Sequence, residues 1–259
     1  MMSSTRLIIA RKEMVDHLRD TRSLTSAAAY ALMGPVVVLL VSLSPKGQGP
    51  SMPLVVVGML SVFALVSAFA GGTTVATDVM AGERERRSLL PLLTTPIAWR
   101  DVIIGKWIAA SAFAVGSTGL NLAGVVLVLA IRAPGTLITQ APTLAVWAVF
   151  GLVPLALFGA ALQIRVAGAA RSMKEAATSL TLLTFVPMMV GMFLVFFPVT
   201  AGRWALVPIV GQQIVIDAGM RGAPAPLLQV VMLAAVTIAC TAVPLLTAGR
   251  ALGRDDVAR

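Results

Sequence analysis

Six stretches of this chain run for 23 residues or more without a single Asp, Glu, Lys or Arg. They are Ser23–Pro45 (23 residues), Gly47–Thr77 (31), Trp107–Ile131 (25), Ala133–Ile164 (32), Ala176–Gly202 (27) and Gly222–Gly249 (28). About 20 apolar residues in a helix cross the roughly 30 Å hydrocarbon core of a bilayer. In hydrocarbon every backbone N–H and C=O must be bonded internally, so such runs form helices or a closed barrel. Runs this long predict an all-α polytopic membrane protein with six spans. Only 12% of the 259 residues are charged and 58% are hydrophobic, against about 25% charged in soluble domains. The stretch between Arg203 and Asp217 is 13 residues long. It is too short to cross, so "WALVPIVGQQIVI" reads as short outer helices between spans 5 and 6, lying at the outer interface or dipping into it.

Basic residues orient the spans. With the N-terminus inside, 16 of the 20 Lys and Arg residues fall on inner segments, while Lys46, Arg132, Arg203 and Arg221 fall outside. Both termini are then cytoplasmic, in a multi-pass protein of the cell inner (plasma) membrane. The net charge of +9 records loop orientation rather than nucleic-acid binding. The expected organisation is one membrane domain over 1–259, with a helical segment 1–22, a six-span bundle 23–249 and a cytoplasmic tail 250–259. The eight charged residues among the first 22 make that segment unlike a cleaved signal peptide.

Segment 1–22 is amphipathic. Leu7, Ile8, Met14, Val15 and Leu18 fall on one side of a helical wheel; Lys12, Glu13, Asp16, Arg19 and Asp20 fall on the other. Arg11 lies on the apolar side, where its stem can carry the charge to headgroups. This pattern predicts a helix on the cytoplasmic face, in contact with the lipid bilayer.

The first inner loop is "AGERERRSLLPLLTTPIAWRDVIIGK". Glu83 can pair with Arg86 and Arg87 at i+3 and i+4, and Arg84 and Glu85 complete the charged run. Leu89, Leu92 and Leu93 share a face. Pro91 breaks the ladder, and Thr95-Pro96 restarts a helix that leads through residues 97–106 into span 3. A charged, leucine-tipped knob of this kind needs a cover: lipid, its own chain or a partner.

Chemistry-bearing residues are few. One cysteine (Cys240) and one histidine (His17) cannot make a disulfide or a Cys/His zinc site, and no metal site is expected. There is no G-x-x-x-x-G-K-[ST] phosphate loop. Gly116-Ser-Thr-Gly119 has threonine where an intramembrane serine protease would carry its nucleophile. Polar residues within the spans cluster at Thr73, Thr74, Thr77 and Asp78, and around Asn121. Either group could line a substrate path or simply bond to neighbouring helices. Asp78 could also pair with Arg84 or Arg165. Gly116/Gly119/Gly124 and Gly151/Gly159 suggest close helix approach.

The loop resembles the first cytoplasmic loop of type-2 ABC transporter permeases, nearest the Nat sodium-extrusion branch. Glu83, Glu85, Leu89, Leu92, Leu93, Pro96, Gly105 and Lys106 match its pattern; Arg87 and Leu90 replace the usual glycine and glutamate. "ARKEMVDHLRDTRSL" is similar to the family's elbow helix, "ARSMKEA" to the opening of its fifth span, and "VPIVGQQIVIDAGMRG" to its outer segment. The resemblance implies one permease half of an ATP-driven exporter. A second permease chain, in a homo- or heterodimer, would complete the pore. A separate ATP-binding subunit would hold ATP and Mg²⁺, and this chain would bind no cofactor. It would couple through Glu83, Arg84, Glu85, Arg86, Leu89, Leu92, Leu93 and Pro96, and through elbow residues Arg11, Lys12, Glu13, Leu18 and Arg19. The charge-free spans favour a hydrophobic or amphipathic cargo; extrusion of sodium or another ion, or a non-transporting scaffold, are the alternatives.

Overall fold

The structure is a computed structural model that describes residues 2–43, 54–86, 98–132, 134–197, 199, 202–223 and 225–255. Among these residues it is helical throughout. Helix α1 (Met2–Arg19) is followed by α2 (Thr21–Leu43) and α3 (Leu54–Ala70). After a turn at Gly71 and Gly72, α4 (Thr73–Thr77), a π turn (Asp78–Gly82) and α5 (Glu83–Glu85) continue the line of α3. Then come α6 (Trp99–Arg132), α7 (Pro134–Val146), a second π turn (Trp147–Leu152), α8 (Val153–Ala169), α9 (Met173–Phe196), α10 (Val210–Met220) and α11 (Leu227–Asp255). Six helices are long and apolar enough to cross a bilayer: Thr21–Leu40, Gly58–Glu85, Trp99–Arg132, Pro142–Ala169, Met173–Phe196 and Leu227–Gly249. They coincide with the six charge-free runs, but span 2 continues to Glu85 and span 3 takes in Asp101 and Lys106. The expected helical knob at Leu89, Leu92, Leu93 and Pro96 lies outside the described residues.

The local sequence explains where the helices start and bend. Asp20 accepts from the Ser23 amide (3.0 Å) and the Arg22 amide (3.2 Å), satisfying the first donors of α2. The Ser172 side chain caps α9 by accepting from the Glu175 amide at 3.2 Å, and Glu175 accepts in return from the Arg171 amide at 2.9 Å. Pro154 cannot donate to the ladder of span 4, and the π turn just before it absorbs the irregularity.

The core is built from small residues. At the end of the bundle where α1 sits, Ala76, Ala109, Ala110, Ala160, Ala167 and Ala248 pack with Val75, Ile103, Ile164 and Leu180. Towards the far end, Leu65, Phe69, Trp147, Leu155, Val215 and Leu233 take over. Helices of equal polarity to the lipid gain little by burial, so close packing through alanine and glycine holds them together. The glycine expectation is met at Gly124 and Gly159. A Cβ on Gly124 would stand 2.4 Å from Pro35, and one on Gly159 would stand 2.8 Å from the Phe69 carbonyl oxygen. Gly116, Gly119 and Gly151 have nothing within 4 Å among the described residues.

Helix α10 dips into the bundle. Gln212, Gln213, Val215 and Ile216 are buried. Gln213 Nε2 donates to Ser61 Oγ in span 2 (2.6 Å) and Gln212 Nε2 to Thr237 Oγ1 in span 6 (2.8 Å). Two buried glutamines without these partners would each leave unbonded amide groups in an apolar core, so they pin the segment inward.

Candidate functional site

The end of the bundle that carries α1 also carries most of its ion pairs. Helix α1 presents more than the two faces expected from its wheel. Its apolar residues Leu7, Ile8, Val15 and Leu18 are exposed, and so are Arg11, Lys12 and Arg19. A third stripe, Arg6, Ala10, Glu13 and His17, faces the bundle, with Glu13 and His17 buried. Arg6 Nε lies 2.5 Å from Asp101 Oδ1 at the start of α6. Burial alone would lower the Lys12 pKa, but the Glu13 carboxylate beside it, with Glu83 and Asp16, outweighs this and raises it. Helix α1 is therefore tied to span 3 by the Arg6–Asp101 pair as well as by packing of Ile9 on Gly105.

Residues 78–86 are held on every side. Lys106, buried in α6, reaches across to Glu83 Oε2 at 2.6 Å and also donates to the Val79 carbonyl in the π turn. The π turn is wide enough to leave that carbonyl an outside partner. Arg84 donates to the Ala170 carbonyl at the end of span 4 (2.8 Å), and Glu85 accepts from the Met173 amide at the start of span 5 (2.9 Å). Arg86 turns back to Asp78. Two expected pairings are thus corrected. Asp78 takes Arg86, not Arg84 or Arg165, and Arg86 is directed to Asp78 rather than to Glu83. One helical turn separates Glu83 from Arg86, but the Lys106 ammonium lies against the Glu83 carboxylate; the expected pairing of Glu83 with Arg87 lies outside the described residues.

His17 joins the elbow to this segment. Ser23 Oγ gives its hydrogen to Asp20 (2.8 Å), so in its 2.9 Å contact with His17 Nδ1 the ring nitrogen is the donor. Nε2 then points toward Asp78 Oδ2, 3.9 Å away, and Phe113 packs edge-on against the ring. The same Ser23 side chain and amide hold the Asp20 carboxyl below the ordinary aspartate pKa.

Between the elbow, span 2 and span 5 lies a cleft of about 740 Å³. Thr73, Thr74, Thr77 and Asp78 line it, together with charged residues from the elbow region and Met173, Lys174, Ala177 and Thr181 of α9. Four of the five polar residues singled out as a possible path therefore meet in one cavity. Asn121 is elsewhere. It is buried between spans 1 and 3, donates to the Tyr30 carbonyl at 3.2 Å and rests against Gly34. Beyond the cleft, the same side of span 2 continues as Ala70, Val66 and Val62, packed against by Tyr30 and Met33 of span 1 and Met188 and Met192 of span 5. The sequence reading missed His17 and Gln163. A solitary histidine and a glutamine inside an apolar run were the available signals. Among the described residues no group of three or more His, Cys, Asp or Glu could hold a metal ion.

Six helices able to cross a bilayer, with a charged, tightly tethered segment closing the second, define a polytopic membrane protein. Residues 7–257 match the family model described as "ABC-2 family transporter protein", and the chain belongs to that family. The membrane domain of such transporters has no ATPase site of its own, and its permeases work with separate ATP-binding subunits. The chain is similar to the ABC transporter permease protein NatB of Bacillus subtilis (strain 168), at 31% identity over 156 residues. That match covers 58% of this chain and 39% of the relative, so the chain spans about two fifths of that relative's length.

Proposed function

We propose that this chain, paired with a second permease chain, forms the membrane part of an ATP-driven exporter of hydrophobic or amphipathic molecules. Both termini face the cytoplasm, and a separate ATP-binding subunit docks beneath the loop 83–96 and the elbow helix. The observation that carries this reading is the tethering of residues 78–86. Through Lys106, Ala170, Met173 and, across 3.9 Å, His17, they touch span 3, the end of span 4, the start of span 5 and the elbow. A push on the loop that follows is thereby delivered to four parts of the bundle. The cleft beside it suits an amphipath. Charged groups at its mouth match a polar head, and the Tyr30, Met33, Met188 and Met192 cluster beyond offers an adaptable apolar lining.

The test uses the permease co-expressed with the ATP-binding subunit encoded beside it. Leu89→Asp or Leu93→Asp places a charge in an apolar contact and should cost several kcal/mol of association, on the order of the penalty for an unpaired buried polar group. The variant should still insert, but the ATP-binding subunit should no longer co-purify. Unchanged co-purification and ATPase activity would mean that the leucines pack on their own chain.

Cargo is read from the reconstituted wild-type complex. Amphipathic drugs and lipids should stimulate ATP hydrolysis and Na⁺ should not. Stimulation by Na⁺ alone, abolished by Asp78→Ala, would replace this reading with ion extrusion, for which Asp78 and the threonine oxygens of the cleft would be the ligands.

A further inference from the structure

Span 2 is not one continuous helix. It stops at Ala70, turns through Gly71 and Gly72, and restarts at Thr73. The break lies deep in the bundle, where Phe69 and Ala70 are wholly buried. At a helix break carbonyls lose their intrahelical donors, and in an apolar interior something else must supply them. Here a side chain of span 4 supplies a donor to Phe69. Gln163 Nε2 donates to the Phe69 carbonyl at 2.6 Å and to Thr73 Oγ1 at 3.1 Å, thereby gripping one residue on each side of the break. Thr73 Oγ1 in turn donates to the Ala70 carbonyl at 2.6 Å. The Gln163 Oε1 atom, also buried, has no partner, so this amide is held by its donor side alone.

The break is also closely packed. A Cβ on Gly71 would stand 2.7 Å from Ser117 Cβ, and one on Gly72 would stand 2.5 Å from the Ala110 carbonyl oxygen. Gly159, one turn before Gln163, sits directly against Phe69. Spans 3 and 4 thus form a socket around the turn, and Gln163 is its polar contact. The segment below the break, Thr73–Glu85, carries the cleft wall and the tethers described above. The segment above it, Leu54–Ala70, reaches the far end of the bundle and bears Ser61, the partner of Gln213 in α10. Whatever angle exists between the two halves of span 2 is set at this one turn.

We propose that Gln163 is a positioning residue for transport: it fixes the hinge at Gly71-Gly72, so that movement of the Thr73–Glu85 segment is passed to the far half of span 2. This rests on the reading that the 83–96 loop receives the ATP-driven push. Without the Gln163 amide, the Phe69 carbonyl loses its side-chain donor, and the lower half can swing without carrying the upper half. The cleft would still respond to nucleotide, while the far end would not.

The experiment places one reporter on each side of the hinge, in a Cys240→Ser background. Thr74→Cys lines the cleft below the break, and Met59→Cys lies above it. Each is made in the complex of permease and ATP-binding subunit in lipid nanodiscs. Reaction with a small membrane-permeant methanethiosulfonate is timed with and without ATP and vanadate. With Gln163 intact, both rates should change with nucleotide. With Gln163→Met, which keeps the length and removes the donors, the Thr74→Cys response should persist. The nucleotide-dependent change at Met59→Cys should fall about tenfold or vanish.

Equal responses at both reporters in Gln163→Met would overturn the hinge role. Loss of both responses in a complex that still assembles and hydrolyses ATP would also overturn it, by showing that Gln163 merely supports the fold. If Gln163→Met fails to assemble, Thr73→Val, which removes the other contact at the break, is read in the same way. An absent response at Thr74→Cys in the otherwise unaltered complex would instead sink the coupling reading itself.

Discussion

Lys106→Ala should lower the folding stability of the solubilised protein by about 3–5 kcal/mol, the usual consequence of removing one partner from a buried ion pair. The ammonium is 2% exposed and lies 2.6 Å from the Glu83 carboxylate, itself only 13% exposed at its side chain. Without Lys106, the Glu83 carboxylate loses this partner and the Val79 carbonyl of the π turn loses its side-chain donor. The paired replacement Lys106→Met with Glu83→Gln removes both charges and should recover much of the loss, because a buried pair costs nearly as much desolvation as it returns. The apparent midpoint of thermal unfolding in detergent measures both effects. A single-variant midpoint equal to that of the parent would show that water reaches Glu83 and that segment 78–86 is not anchored as described.

Gly72→Ala should be nearly as damaging, at about 2–3 kcal/mol, toward the upper end of what overpacking a filled interior costs. Its Cβ would meet the Ala110 carbonyl oxygen at 2.5 Å, a backbone atom that cannot rotate away, and Gln163 Oε1 at 3.3 Å. The backbone at Gly72 has φ −96°, so glycine is required there for space and not for an unusual dihedral. Gly116→Ala is the matched control. It lies in the same bundle, within a regular helix and, among the described residues, with nothing within 4 Å. Alanine there should be neutral or stabilising by up to about 1 kcal/mol through helix propensity. Thermal midpoints that move alike in the two variants would mean that span 2 can relax away from span 3 at the turn.

Much of the architecture is legible in the chain because the relevant cost is local. A charge in hydrocarbon is expensive wherever it falls, so charge-free runs mark the six spans without any knowledge of neighbours. The elbow helix is legible from its register of apolar and charged residues, and the capping of span 5 from Ser172 and Glu175. The site is legible only in part. Thr73, Thr74, Thr77 and Asp78 stand within six residues of one another, and one helix brings them to one cleft. Asn121 shows the same polarity in the same kind of run, yet it bonds to span 1, because hydrophobicity patterns do not say which helix lies opposite.

The sequence alone determined which segments enter the membrane, the family of the chain and the charged loop that ends its second span. Each follows from composition over a short window or from a motif. The tertiary structure decided every pairing: Lys106 with Glu83, Asp78 with Arg86, His17 with Ser23 and toward Asp78, and Gln163 with the broken turn at Gly71 and Gly72. The physical reason is that a buried polar group must find a partner. The partner it finds is set by which helices pack side by side, over separations such as the 94 residues between Gln163 and Phe69. Helical periodicity carries no information across that distance, whereas packing of small residues brings the two into contact.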